Sequence, residues 1–199
     1  MMNTLYPNYD VLAKWESPSF DDQTRTVLTQ RLIAIPERHF FTEPEWTLLE
    51  AIVARVLPQP GRAEPIPITP WIDDMLHRGR GEGFRHDNMP TMPEAWRLGL
   101  AAIDAEAVRL RGAGFQDLGN DARDAVLAAL TRDDVDPLLW QGVPAQRFFI
   151  DILVKTAVGV YYSHPAAWSE IGFGGPASPR GYVRLGFNAR DAWEGREEA

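Results

Sequence analysis

The sequence predicts an all-α protein, a single helical domain of about five or six helices with non-helical N-terminal and C-terminal arms. Three observations predict this class. Helix start and stop signals recur along the 199 residues, apolar side chains between them repeat at helical spacing, and no run shows convincing period-two alternation between hairpin turns. The 16 prolines and 16 glycines indicate many breaks between helices.

The clearest helix begins in FTEPEWTLLEAIVARVLP. Thr42 as N-cap and Glu45 three residues later predict a capping box, and Pro44 lies in the first turn, where its missing N–H costs little. Apolar residues then recur at helical spacing until Pro58 ends the run.

Two further helices have equally clear signals. The T-x-P-E start returns at Thr91, and the long helix that follows is predicted to end at Gly112. Pro144 can open AQRFFIDILVKTAVGVYY, which is predicted to end before Ser163 because the residue before a proline, here His164, disfavours helix.

Three shorter helices complete the set. They are predicted around Asp21 to Ile33, from Thr69 to Gly79, and after Asn120. The domain prediction is an N-terminal arm at 1–20, a helical core at 21–162, an aromatic C-terminal arm at 163–190 and a polar tail at 191–199.

The charge and residue content exclude several classes of function. A net charge of -8, spread along the chain, favours solubility and argues against a nucleic-acid partner. The absence of cysteine excludes disulfides, thiolate nucleophiles and cysteine-ligated metal centres. The longest apolar stretch is interrupted by Asp151 and Lys155, so no membrane span is predicted. The start shows no export signal, and a cytoplasmic location is the expectation.

No catalytic, cofactor-binding or metal-binding residue is predicted. GRGEGF, from Gly79 to Phe84, has neither phosphate-loop spacing, so a basic, solvated loop is favoured over one that docks a carboxylate or a phosphate. The four histidines lack metal-site spacing. The adjacent pair Asp73 and Asp74 is interpreted as cap and surface charges, because neighbours on a helix point apart.

The stretch YYSHPAAWSEIGFGGPASPRGY, from Tyr161 to Tyr182, is the unusual segment. It holds five aromatic residues but only two formal charges, so it needs a surface to pack against. Two interpretations stay open: the arm folds back over its own core, or it packs on a partner. For the second, the predicted partner-binding residues are Tyr161, Tyr162, His164, Trp168, Phe173, Pro176 and Tyr182.

The order of motifs resembles the gluconate 2-dehydrogenase subunit 3 family over roughly residues 41–182. The similarity lies in FTEPEWTLLEAIVARVLP, PITPWIDDML, WRLGLAAIDAEA with FQDL and AVLAAL, and FFIDILVKTAVGVYYSHPAAWSEIGFGGPASPRGY. The resemblance implies a non-catalytic partner of a large FAD-dependent oxidoreductase of the glucose-methanol-choline type, acting on sugars, sugar acids or glycosides. It implies FAD in the partner and none in this chain, with a cytochrome c as an electron acceptor in the complex.

The sequence departs from the pattern of this family in one respect. Many relatives carry a twin-arginine export signal, which is not visible here, so the expected complex is cytoplasmic or exported through a signal on the partner. Two alternatives to a stabilising subunit stay open. One is a transient folding chaperone that leaves once the flavin is bound, and the other is an independent enzyme built around His164 with Asp151 or Glu170.

Overall fold

The computed structural model describes residues 6–17, 20–80, 88–176 and 195. Across these residues the protein is all-α and contains no strand, as predicted. They fall into two compact units: the described residues within 1–35, 60–66 and 160–199 form the first, and those within 36–59 and 67–159 form the second. The division into arms, core and tail drawn from the sequence stays a prediction.

Every helix predicted from the sequence is present. The α-helices are α1 (Asp22–Ile33), α2 (Glu43–Val56), α3 (Ile68–His77), α4 (Met92–Arg111), α5 (Asn120–Thr131), α6 (Ala145–Arg147), α7 (Lys155–Tyr162) and α8 (Pro165–Glu170). A π-helical segment, Phe148–Val154, joins α6 to α7, and short 3-10 turns lie at Val11–Lys14, Phe115–Asp117 and Pro137–Trp140. No described helix is both long and apolar enough to cross a bilayer.

The helix boundaries follow from their capping residues. The backbone N–H of Thr42 donates to Glu45 Oε2 at 2.8 Å, which confirms the capping box at the start of α2. Gly112 ends α4 at a φ of 77°, a left-handed conformation that glycine adopts without steric cost. Pro144 is the N-cap of α6, as its place in the sequence predicted.

The core of the second unit is built around α4. Trp96 is fully buried and meets the ring of Phe148 edge to face, with centroids 5.7 Å apart. One turn further on, a Cβ at Gly99 would lie 2.2 Å from that phenylalanine ring. Glycine at this position therefore lets the π-helical segment approach α4 closely.

The interpretation of Asp73 and Asp74 as surface charges is wrong. Asp73 is 0% exposed, and its carboxylate accepts the backbone N–H groups of His39, Phe40 and Phe41. Asp74 is also buried and accepts from Arg78 Nε at 2.6 Å. Adjacent residues on α3 do point apart, but both directions are covered by the surrounding chain, which adjacency alone could not reveal.

A third buried carboxylate holds the turn that ends at Trp140. Glu106 on α4 is 0% exposed and accepts the backbone N–H of Asp136 at 2.6 Å. It also accepts from Trp140 Nε1 at 3.3 Å and from Arg109 Nε at 2.6 Å. Two of these bonds join α4 to the following turn and the third comes from Arg109 on α4 itself, so the buried carboxylate is satisfied without solvent.

Candidate partner-binding site

The C-terminal segment of the first unit contains a helix where the sequence predicted none. His164 is extended, at φ -95° and ψ 134°, because it precedes Pro165. Its Nδ1 accepts the backbone N–H of Ala166 at 3.2 Å, so the imidazole acts as the N-cap of α8. On the sequence alone, Pro165 indicates only that the preceding helix ends, and so predicts a non-helical segment after Ser163. In the structure Pro165 is also the first residue of α8, a position that proline favours.

Trp168 is carried by α8 and is buried within the first unit. It is 6% exposed and shares an apolar cluster with Val11, Phe20 and Leu28. The indole Nε1 donates to the carbonyl oxygen of Tyr162 at 2.6 Å. For Trp168, the structure therefore agrees with the first of the two interpretations, in which the segment folds back over its own chain.

A charged cluster fixes the far end of α8. The hydroxyl of Tyr161 donates to Glu170 Oε2 at 2.6 Å, and Arg62 pairs with Glu170 Oε1. Burial raises the pKa of the Tyr161 phenol, so this group remains a hydrogen-bond donor at neutral pH. Glu170 is thus held between a guanidinium and a phenol.

Other aromatic and aliphatic side chains of this segment are exposed. Tyr162 is 45% exposed, Phe173 40% and Ile171 48%. Phe173 nevertheless rests on Trp168, with ring centroids 5.6 Å apart in an edge-to-face arrangement. Buried Trp168 therefore supports an exposed aromatic side chain.

The structure brings together most of the residues predicted to bind a partner, but not as one exposed face. Tyr161 and Trp168 are buried, His164 is half-buried, and Pro176 lines a cleft beside Trp168. Tyr182 lies outside the described residues. The sequence missed Arg31 and Arg62, since no spacing pattern links residues more than a hundred positions from α8.

The predicted basic loop around GRGEGF is described only at its start. His77 stacks on His39 with ring centroids 4.9 Å apart, and Arg78 is paired with Asp74. Residues 81–87, which include most of GRGEGF, lie outside the described residues. In the described part of the chain, no group of three or more side chains has the arrangement of a metal site.

The environment of His164 predicts acid sensitivity. Its burial, and then the nearby positive charges of Arg62 and Arg31, lower its pKa below the ordinary value of 6.5. The unfolded chain consequently binds a proton more readily than the folded chain, so stability falls as the pH drops through 6.5 towards the lowered pKa. We expect urea denaturation to show this fall for the parent chain.

His164→Asn is the informative variant for this pH dependence. Asparagine can accept the Ala166 N–H as an N-cap but does not titrate, so the fall in stability between about pH 7 and pH 5 should become smaller. His39→Asn serves as the matched control and should retain the fall. Equal pH dependence in the parent and in His164→Asn would contradict the assignment.

Together, the fold and the site define a class: a small all-α protein whose aromatic C-terminal segment is anchored by its own N-terminal residues and carries exposed apolar side chains. Residues 43–175 match the model of the family described as Gluconate 2-dehydrogenase subunit 3. The match covers about two thirds of the 199 residues, and the chain belongs to this family. Neither the curated proteins nor the solved structures gave a match.

Proposed function

We propose that this chain is a non-catalytic accessory subunit that binds and stabilises a large FAD-dependent oxidoreductase of the glucose-methanol-choline type. The partner would hold the FAD and oxidise sugars, sugar acids or glycosides. The observation that carries the proposal is the family match over residues 43–175, because the family is described as a subunit of a dehydrogenase.

Exposed apolar side chains on the first unit support the proposal. Within the described residues this unit exposes Val27, Ile33, Ile35, Tyr162, Ile171 and Phe173, each at least 40%. Aromatic side chains are enriched at interfaces because a rigid ring buries a large area at a small entropic cost. We assign Tyr162 and Phe173 to the contact and Trp168 to its support.

The proposal predicts that loss of an exposed ring weakens assembly without loosening the subunit. Phe173→Ala should reduce the affinity for the flavoprotein by about tenfold or more, since buried aromatic residues dominate interface energetics. Its melting temperature alone should stay close to that of the parent, because Phe173 is partly exposed already. Leu138→Ala, which removes an 85% exposed leucine of the second unit, is the control.

Co-expression with the flavoprotein and measurement of the complex by size exclusion and light scattering provide the test. A stable complex that keeps this chain through purification and turnover supports an accessory subunit. Loss of the chain once FAD is bound would support a transient chaperone instead. A monodisperse monomer with no affinity for the flavoprotein would overturn the proposal.

A further inference from the structure

The first unit contains an open cleft between α1 and the segment that carries Trp168. Its volume is about 260 Å³. The residues lining it are Asp21, Gln23, Thr24, Val27, Leu28, Arg31, Trp168 and Pro176. Small-molecule sites usually measure roughly 300 to 1,000 Å³, so this space suits one or two side chains of a protein better than a flavin.

At one end of the cleft lies a positive charge that no carboxylate of the described residues pairs with. Arg31 is half-buried in the last turn of α1, where its Nη1 donates to the carbonyl oxygen of Ser163 at 2.8 Å. Among the described residues, no carboxylate forms an ion pair with it, and burial lowers its pKa. A guanidinium carries five N–H donors, so most of its hydrogen-bonding capacity remains available for an anion.

The other end of the cleft is acidic. Asp21, the N-cap of α1, accepts the backbone N–H of Thr24 at 2.8 Å, and its hydrogen bonds to Thr24 lower its pKa. Ten residues of helix separate it from Arg31, a rise of about 15 Å. The cleft is therefore polarised along α1, and an anionic group is favoured only at the Arg31 end.

The walls between these ends are apolar. Leu28 is 1% exposed and forms the floor, while Val27 is 40% exposed at the rim. The indole N–H of Trp168 is bonded to the Tyr162 carbonyl oxygen, so only the apolar surface of its ring is left for an occupant. An aliphatic or aromatic side chain next to an acidic one would satisfy both features.

We propose that this cleft receives an acidic side chain of the flavoprotein, whose carboxylate pairs with Arg31 while an adjacent apolar side chain packs on Trp168 and Pro176. This inference rests on the proposed function and names the chemistry of the contact. Within the described residues Arg31 is partly desolvated and has no counter-ion, and a bidentate carboxylate pair supplies both the charge and the geometry that it lacks.

Val27→Asp tests the pairing without disturbing the buried residues. An aspartate four residues before Arg31 on the same helix would form an ion pair with it, which supports α1 and blocks the incoming carboxylate. We expect the affinity for the co-expressed flavoprotein to fall by about tenfold or more, as for other interfacial charge pairs, while the melting temperature of the subunit is kept. Val27→Asn is the matched neutral control and should change the affinity much less.

A cross-linking experiment identifies the contacting residue. The chain has only two lysines, Lys14 and Lys155, so Arg31→Lys introduces a new amine that a zero-length carbodiimide reagent can join to a nearby carboxylate. Mass spectrometry of the assembled complex should find position 31 linked to an aspartate or glutamate of the flavoprotein. Arg31→Gln should weaken assembly, whereas Arg132→Gln, which removes an exposed arginine of the second unit, should not.

The outcomes separate this inference from the proposed function. If the parent chain binds the flavoprotein and Val27→Asp, Val27→Asn and Arg31→Gln all bind equally well, the cleft is not the contact, although the subunit role stands. If position 31 links only to residues of its own chain, the inference is likewise overturned. If the parent chain does not bind the flavoprotein, the subunit role and the cleft contact both fail.

Discussion

Replacing Asp73 by alanine is expected to destabilise the second unit by about 3 kcal/mol or more, because the buried donor left unpaired costs about 1 to 3 kcal/mol and each of the two part-buried bonds contributes about 1 kcal/mol. The fully buried carboxylate accepts the backbone N–H groups of three consecutive residues, His39, Phe40 and Phe41. Alanine would leave all three without their acceptor. These residues lead directly into the capping box of α2, so the damage should spread to that helix.

Urea denaturation of the isolated chain measures this loss. Asp73→Asn keeps one side-chain oxygen and should fall between the parent and alanine. Asp74→Asn is the matched control. Asp74 is the adjacent buried carboxylate, and the bond described for its side chain is the one to Arg78. A urea denaturation curve for Asp73→Ala that resembles the one for Asp74→Asn would show that the three N–H groups find other acceptors.

Replacing Trp96 by alanine is expected to cost about 3 to 5 kcal/mol, as for other buried tryptophans. Trp96 is 0% exposed and lies against both Phe41 and Phe148, with ring centroids 6.1 Å and 5.7 Å away. Phe148 is itself held tightly against Gly99 of α4, so the surroundings cannot readily collapse into the cavity. Calorimetry of the isolated chain gives the loss directly.

Trp96→Phe separates the cavity from the polar atom. The indole Nε1 of Trp96 is buried and has no hydrogen-bond partner in the described part of the chain. Phenylalanine removes that unsatisfied donor and keeps an aromatic ring, so it should cost far less than alanine. Equal destabilisation by phenylalanine and alanine would mean that a partner of the N–H, rather than packing, holds this side chain.

The sequence predicted the helices well because their signals are local. Thr42 with Glu45 and the glycine at position 112 act within one turn, and the structure confirms both. The depth to which each apolar helix face is buried was predicted less well. Trp96 and Trp140 are buried, whereas Trp46 and Trp71 are only half-buried, because spacing shows which face is apolar but not how deeply the partner element covers it.

The candidate site was predicted only as a region. Its aromatic content distinguished the segment from a linker, but the division into buried Trp168 and exposed Phe173 depends on contacts with residues near the N-terminus. Arg62 and Glu170 are separated by 108 positions, and nothing in either local sequence marks them as a pair. Such pairings arise from tertiary packing, which no periodicity within a single sequence encodes.

The π-helical segment has a consequence for how the length of this chain can vary. A π turn is an α-helix that has accommodated an additional residue, and its widened turn lets buried Ala145, Phe149, Leu153 and Ala157, which are spaced four apart, stay on one side. In a regular α-helix that spacing would drift by about 40° at each step. Relatives with one residue fewer within 148–154 could therefore keep the same buried face by reverting to α-helix there, whereas a deletion elsewhere in this helix would rotate that face away from its neighbours.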